Sequence, residues 1–218
     1  MRVVFLGAPG VGKGTQADKV VAQYHIAKIS TGDLLRAAVR NKTTLGLEAK
    51  EHMDQGRLVP DSVVIGLVKE KLTELTQSKK FILDGFPRTV PQAEALAAVL
   101  DGQEIKLDRV INFRVSRDEI IKRLSGRRSC QKCQATYHVD FAPSKNGTAC
   151  DRCGELLVQR SDDQREAVET RLKVYEEQTA PLIHFYEQRQ LLSHLNGAEP
   201  VEVVYQELVR TLSAYQTA

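Results

Sequence analysis

The stretch RVVFLGAPGVGKGT, residues 2–15, decides the fold. Its first half is a short apolar run that stops at Gly7, the pattern of a parallel strand buried on both faces. Its second half, GAPGVGKGT, places glycines around Lys13 and leads into VGKGTQADKVVAQYH, residues 11–25, where a helix is predicted. Strand, glycine-rich turn, lysine and helix in this order form a phosphate loop; a glycine-rich turn before a helix without a ligand is the bland alternative. The glycines let backbone N–H groups face phosphate oxygens, the helix N-terminus adds positive dipole, and Lys13 reaches the β- and γ-phosphates. One position departs from the usual pattern. Where a Ser or Thr hydroxyl normally follows the lysine and binds Mg²⁺, this chain has Gly14, and Thr15 comes one residue later. The ion is then expected to be held by phosphates and water, with Asp84 and Asp33 acting on it through water. An N-cap role for Asp33 is compatible with this.

Outward from the loop, AKIS (27–30) reads as a second strand. Between Thr31 and Leu58 the apolar residues Leu34, Leu35, Ala38, Leu45, Ala49 and Met53 recur at helical spacing. Gly32, Gly46 and Gly56 interrupt them, so short helices with little core of their own are expected. Val63, Val64, Leu67, Val68, Leu72 and Leu75 predict a helix behind an Asp61 N-cap. KKFILDG is a strand ending at Asp84, and Pro91 opens a helix. DRVINFRV is a buried strand, and RDEIIKRLSG a helix ending at Gly126. A single long helix is expected from Asp163 to Arg189, then a strand at LLSHL and a last helix from Pro200. This alternation predicts an α/β three-layer sandwich around a parallel sheet of about five strands. Residues 30–59 and 126–163 fit it poorly and read as insertions on the ligand side. The expected organisation is therefore a core of 1–29, 60–125 and 164–218 carrying two inserted units.

The 218 residues suffice for one substantial core. With 31 basic and 28 acidic residues the charge is nearly balanced, which argues against a general nucleic-acid binder. No window approaches the roughly 18 apolar residues of a membrane span, and MRVVFLGAPG is too short an apolar region for a secretory signal. A cytoplasmic protein is expected, and there cysteine pairs are more often metal ligands than disulfides.

Arg36, Arg88, Arg123, Arg127, Arg160 and Arg171 stand near glycines, segment ends or the insertions, in TGDLLR, DGFPRT, KRLSGRR and VQRSDD. A surface arginine by itself is usually solvated; these six keep company with glycines, acidic residues and one another. Phosphoryl transfer needs positioning and charge neutralisation more than covalent chemistry, and forked guanidiniums suit it. The five histidines are scattered and form no nucleophile–base set. An acceptor that is itself a phosphate is already anionic near neutral pH and needs no base.

Cys130, Cys133, Cys150 and Cys153 have the spacing of a four-thiolate zinc site; iron can occupy the same donor set. Two disulfides, free thiols and a nucleic-acid knuckle are the other readings. Four thiolates leave no open position for a catalytic water, so the metal reads as structural. A unit of about 38 residues buries too little to stand without a staple.

GAPGVGKGTQ, STGDLLR, GRLVPD, LDGFPRT followed by Gln92, GRR, and RSDDQREAVETRL followed by YEEQTAPL resemble the adenylate kinase family over essentially the whole chain. The cysteine-bearing segment is similar to the long, zinc-carrying lid of some bacterial members. The resemblance implies reversible transfer between MgATP and AMP to give two ADP, with 30–59 as the unit that binds the monophosphate and 126–163 as a lid. It implies that Gly10, Val11, Gly12, Lys13, Gly14 and Thr15 wrap the ATP phosphates, with Arg123 and Arg127 on them as well. Thr136 and Tyr137 would lie along ATP, and the chain near Glu199 would pass its adenine. On the AMP side it implies Thr31, Arg36, Arg57, Leu58, Val59, Gly85, Phe86, Pro87 and Arg88, with Gln92 reading the adenine edge. Arg160 and Arg171 would face AMP and the group in transfer, and Asp162 and Asp163 would close the lid. ATP, AMP and ADP are the expected partners, with neither nucleic acid nor membrane, and a monomer is expected. Another nucleoside monophosphate kinase, a GTP:AMP phosphotransferase, a P-loop ATPase acting on water and a zinc-dependent nucleic-acid protein are the rival readings.

Overall fold

In β1 (Arg2–Leu6), Val3 and Phe5 join one buried cluster while Val4 and Leu6 join another on the opposite face. A strand apolar at every position needs cover on both sides, and the chain supplies it. The computed structural model describes residues 1–75 and 79–215; residues 76–78 and 216–218, which the expected core includes, lie outside them. After β1 come α1 (Lys13–Tyr24), β2 (Ala27–Ser30), α2 (Thr31–Arg40), α3 (Thr44–Asp54), α4 (Asp61–Thr73), β3 (Phe81–Asp84), α5 (Val90–Asp101), β4 (Arg109–Arg114) and α6 (Arg117–Ser125). The short strands β5 (Arg127–Cys130), β6 (Thr136–His138) and β7 (Leu157–Val158) follow. The chain closes with α7 (Arg165–Val174), α8 (Pro181–Glu187), β8 (Leu192–Asn196) and α9 (Val201–Leu212).

The large sheet is parallel throughout, in the order β2-β3-β1-β4-β8. One face packs on α1, α6, α7 and α9 through Ala17, Val20, Ile120, Leu124, Leu172 and Leu208. The other packs on α2 to α5 and α8 through Leu35, Ala49, Val68, Leu96 and Leu182. This is the expected three-layer sandwich. The phosphate loop leaves the carboxyl end of β1, next to the ends of β3 and β4, where open parallel sheets bind ligands. No described helix is long and apolar enough to cross a membrane.

Three local expectations change. The helix expected from Asp163 to Arg189 is broken. Ser161–Asp163 is a 3₁₀ turn, α7 follows, Tyr175–Thr179 is a π turn, and α8 begins at Pro181. Pro181 has no N–H to donate and its ring crowds the preceding turn. The backbone absorbs it with one wider turn, in which Ala180 N–H reaches Tyr175 O at 2.8 Å. The break lets α7 bury Val168 and Leu172 in one layer while α8 buries Leu182 and Tyr186 in the other. The helix cap expected at Asp61 is Pro60, and Asp61 is the first helical residue. Residues 126–163, read without strands, form an antiparallel sheet in the order β6-β5-β7.

Candidate functional site

Gly12 caps α1 with φ 97°, a left-handed conformation that favours glycine and turns the loop toward the helix axis. Lys13, the first residue of α1, donates from Nζ to Gly7 O at 2.7 Å and Ala8 O at 2.9 Å. Its ammonium is thus held at the loop rather than in solvent. Burial pushes its pKa down to about 8, assisted by Arg88, Arg171 and Arg127 and opposed by Asp84. The sign follows from the lowered value. Between about pH 8 and the ordinary lysine range the unfolded chain binds more protons, so stability rises with pH there. A bound polyanion would pull the proton back. Gly14 faces Asp84: a Cβ at residue 14 would lie 3.4 Å from Asp84 Oδ2. The place where other phosphate loops carry a hydroxyl is therefore bordered here by a carboxylate. Val11 is buried, and Thr15 is exposed at the start of α1.

Arg36, Arg88, Arg127, Arg160 and Arg171, though not Arg123, come together beside this loop from distant parts of the chain. Burial, and then Arg171, lowers Arg88 to about 10; burial, and then Arg127 and Arg36, lowers Arg160 to about 9. Arg171 is lowered by burial as well. Cations crowded in a partly desolvated site repel one another, so the arrangement favours an anion of high charge. Two aspartates hold the cluster together. Arg127 donates to Asp163 at 2.7 Å from Nε and 2.5 Å from Nη2, and Arg171 reaches Asp163 Oδ1 at 3.0 Å and Asp162 Oδ2 at 3.1 Å. Burial opposes the charge of Asp162, but Arg171 and Arg127 outweigh it and hold the carboxyl below the usual range. Arg160 Nε donates to Ser129 Oγ at 2.8 Å, tying the cluster to the small sheet.

A cleft adjoins the cluster, lined by Thr31, Arg36, Arg57, Leu58, Val59, Gly85, Arg88, Gln92, Asp162 and Arg171. Leu35, Met53 and Val64 complete its apolar wall; their spacing reads as helix core and gives no separate signal. Thr31 Oγ1 and Arg88 Nε both donate to Gly85 O at 2.8 Å. Thr179, delivered by the π turn, donates to Arg88 O at 2.8 Å. Phe86 is buried and joined to Pro87 by a cis peptide bond. Arg36 pairs with Asp33 at 2.6 Å, and its Nε is buried with no partner among the described residues, a donor that an anion would satisfy. Ser30 caps α2 by accepting from Asp33 N–H at 3.3 Å, so Asp33 sits inside the first turn instead of capping it.

The remaining expected residues stand apart from the cluster. Arg123 donates to Gly197 O at 2.8 Å and to Glu119 Oε1 at 2.8 Å, bracing the loop that carries Glu199. The Glu199 side chain accepts from Asn196 Nδ2 at 3.1 Å and is exposed. Thr136 is exposed on β6. The Tyr137 hydroxyl accepts from Asp151 N–H at 2.9 Å and touches Cys150 Sγ at 3.4 Å, so it faces the thiols.

The sulfurs of Cys130, Cys133, Cys150 and Cys153 all lie within 4.8 Å of one another. Cys130 and Cys153 approach to 3.4 Å and Cys133 and Cys150 to 3.5 Å. A disulfide requires about 2.05 Å. Thiolates placed tetrahedrally at about 2.3 Å from a zinc ion stand about 3.8 Å apart, which these spacings approach. Cys133 N–H and Arg152 N–H point at Cys130 and Cys150 sulfurs, each at 3.4 Å, as donors that stabilise thiolate charge. The donor set therefore fits a four-coordinate metal with no open position.

A family model described as adenylate kinase matches residues 5–191. An adenylate kinase of Carboxydothermus hydrogenoformans is 52% identical over 97% of this chain and 99% of its own length. One from Geobacillus sp. is 49% identical and one from Methanosarcina barkeri 50% identical, each over 99% of this chain and 100% of the relative.

Proposed function

The chain belongs to the adenylate kinase family, and we propose that it works through the cation cluster around Lys13 and the cleft beside it. The reaction is the reversible transfer of a phosphoryl group from MgATP to AMP, giving two ADP. The observation that carries our assignment of residues is the meeting of two anion-binding sets. A phosphate loop with Lys13 and a cleft ending in Arg36 and Arg88 share Arg171 between them.

In this reading the loop from Gly10 to Thr15 wraps the ATP phosphates, with Mg²⁺ arriving on ATP and Asp84 and Asp33 orienting its waters. Arg36 and Arg88 hold the AMP phosphate, with Thr31, the backbone of Arg57 to Val59 and the Gly85–Arg88 turn around the nucleotide. Gln92 reads its base. Arg127, Arg160 and Arg171 neutralise charge on the group in transfer, where electrostatic stabilisation accounts for most of such catalysis. Arg123, Thr136, Tyr137 and the chain at Glu199 reach ATP on closure. The acceptor oxygen is already anionic, so no side chain has to remove a proton.

Residues 30–59 act as the AMP-binding unit and 126–163 as a lid on the core. Closure of the lid excludes water, which would otherwise compete for the phosphoryl group. Cys130, Cys133, Cys150 and Cys153 would hold Zn²⁺, whose contribution is to keep the lid folded as it moves. Among the described residues the exposed large apolar side chains are Leu47 on α3, Val139, Phe141 and Leu156 in 126–163, and Val201 and Val203 on α9, at most three to a unit, and the reading is a monomer. The reading places the protein in the cytoplasm and involves neither nucleic acid nor membrane.

Turnover with MgATP and each of AMP, GMP, CMP and UMP tests the assignment. AMP is expected to be preferred by at least about 100-fold in kcat/KM, the scale reached when a wrong base leaves buried polar groups unpaired. Equal use of all four would remove Gln92 from its role.

A further inference from the structure

The side chain of Gln92 is buried, and its hydrogen bonds admit one orientation of the amide. Oε1 accepts from Arg88 N–H at 2.7 Å, and Nε2 donates to Asp61 Oδ1 at 2.7 Å. A backbone N–H can only donate and an ionised carboxylate can only accept. Turning the amide over would set donor against donor at Arg88 and acceptor against acceptor at Asp61, both in a buried place where such a mismatch is costly. Asp61 is itself held: its other oxygen accepts from Thr89 Oγ1 at 2.8 Å, and that hydroxyl accepts Gln92 N–H at 3.2 Å. Asp61 opens α4 and does not line the cleft, so it acts on Gln92 from behind.

A primary amide has two N–H donors and two acceptor sites. Arg88 and Asp61 take one of each, and the remaining pair belongs to a side chain that lines the cleft. We propose that Asp61 is a specificity-determining positioning residue, which together with the Arg88 N–H locks the Gln92 amide so that the cleft meets an acceptor at Oε1 beside a donor at Nε2. That pair complements a 6-aminopurine, whose N6–H donates and whose N1 accepts. It opposes a 6-oxopurine, whose O6 accepts and whose N1–H donates. The inference rests on the reading of Gln92 as the base contact.

IMP is the sharpest probe, because it differs from AMP only in this edge and lacks the extra amino group of GMP. Asp61→Asn keeps the size of the side chain but, carrying both a donor and an acceptor, no longer dictates the orientation of the amide, which is then held by the Arg88 N–H alone. The ratio of kcat/KM for IMP to that for AMP is expected to rise by at least about tenfold. Gln92→Ala is expected to raise the same ratio, and Asp61→Asn added to it should change the ratio no further. A purely structural role for Asp61 would slow both substrates alike and leave the ratio where it was. An unchanged ratio in Asp61→Asn, with a raised one in Gln92→Ala, overturns the proposal and leaves the base contact standing. An unchanged ratio in both overturns the base contact and the proposal with it. If Asp61→Asn does not fold, Asp61→Ser offers a hydroxyl that also donates or accepts, and the same outcomes decide.

Discussion

Arg88→Ala is expected to lower kcat/KM for AMP by about 10²–10³-fold, the cost of removing one preorganised donor from the developing charge at which we place it. The side chain is placed for that role from three directions. Its Nε is fixed on Gly85 O, its backbone N–H on Gln92 Oε1, and its carbonyl on the Thr179 hydroxyl. Burial, and then the nearby Arg171 guanidinium, pushes its pKa down to about 10, so the fold holds this charge against a penalty that bound phosphate offsets. Sign matters for stability. A cation with a lowered folded pKa destabilises the ligand-free fold at every pH below that value. Arg88→Ala is therefore expected to leave the melting temperature of the ligand-free enzyme near that of the wild type while AMP turnover collapses. Steady-state rates with AMP varied, beside a thermal melt without nucleotide, check both halves. A loss below about tenfold would remove Arg88 from the reacting phosphates. Arg88→Lys should recover little, since an ammonium cannot reproduce the guanidinium fork.

If the cysteine cluster holds a structural metal as proposed, its removal is expected to lower the melting temperature by on the order of 10 °C or more. The reason is how little core the segment 126–163 has of its own. Its buried apolar cluster consists of Cys130, Ala135 and Cys150, with Cys133, Tyr137, Cys153 and Leu157 partly buried around them. Most of those are the thiols themselves, so without an ion the unit loses its centre. The chemical step, measured well below the transition, should change less than stability does, because the closed donor set touches no reacting atom. Chelation under reducing conditions, followed by a melt and by limited proteolysis between 126 and 163, reads this out. Full stability of the metal-free, reduced protein would contradict a structural metal, and elemental analysis of the native protein separates zinc from iron.

Sequence reveals those parts of this protein whose physics is local. The run RVVFLG announces a strand buried on both faces, and Val3, Val4, Phe5 and Leu6 divide between two clusters as that pattern requires. Glycines and Lys13 announce the phosphate loop, and the cysteine spacing announces a site whose sulfurs come together in space. Features that depend on tertiary partners are silent. Pro181 strains the helix locally, but what the wider turn before it delivers, the Thr179 hydroxyl on Arg88 O ninety-one residues away, is visible only in the fold. The strands β5, β6 and β7 read RRSC, TYH and LV, two to four residues each, too short for a period-2 signal. Asp61 looks like a helix cap until its carboxylate is seen on Gln92 and Thr89. The family resemblance sets Tyr137 and Arg123 beside ATP, and only the fold shows one facing the thiols and the other the Gly197 carbonyl.

The central claim is that the cluster around Lys13 passes a phosphoryl group between two nucleotides and keeps water out. Incubating the enzyme with MgATP, with and without AMP, and following ADP and inorganic phosphate together tests it most directly. The account expects two ADP formed for each ATP consumed when AMP is present. Phosphate release should be slower by at least about 10³-fold whether or not AMP is added. Phosphate released at a rate comparable to ADP formation, and unaffected by AMP, would contradict it.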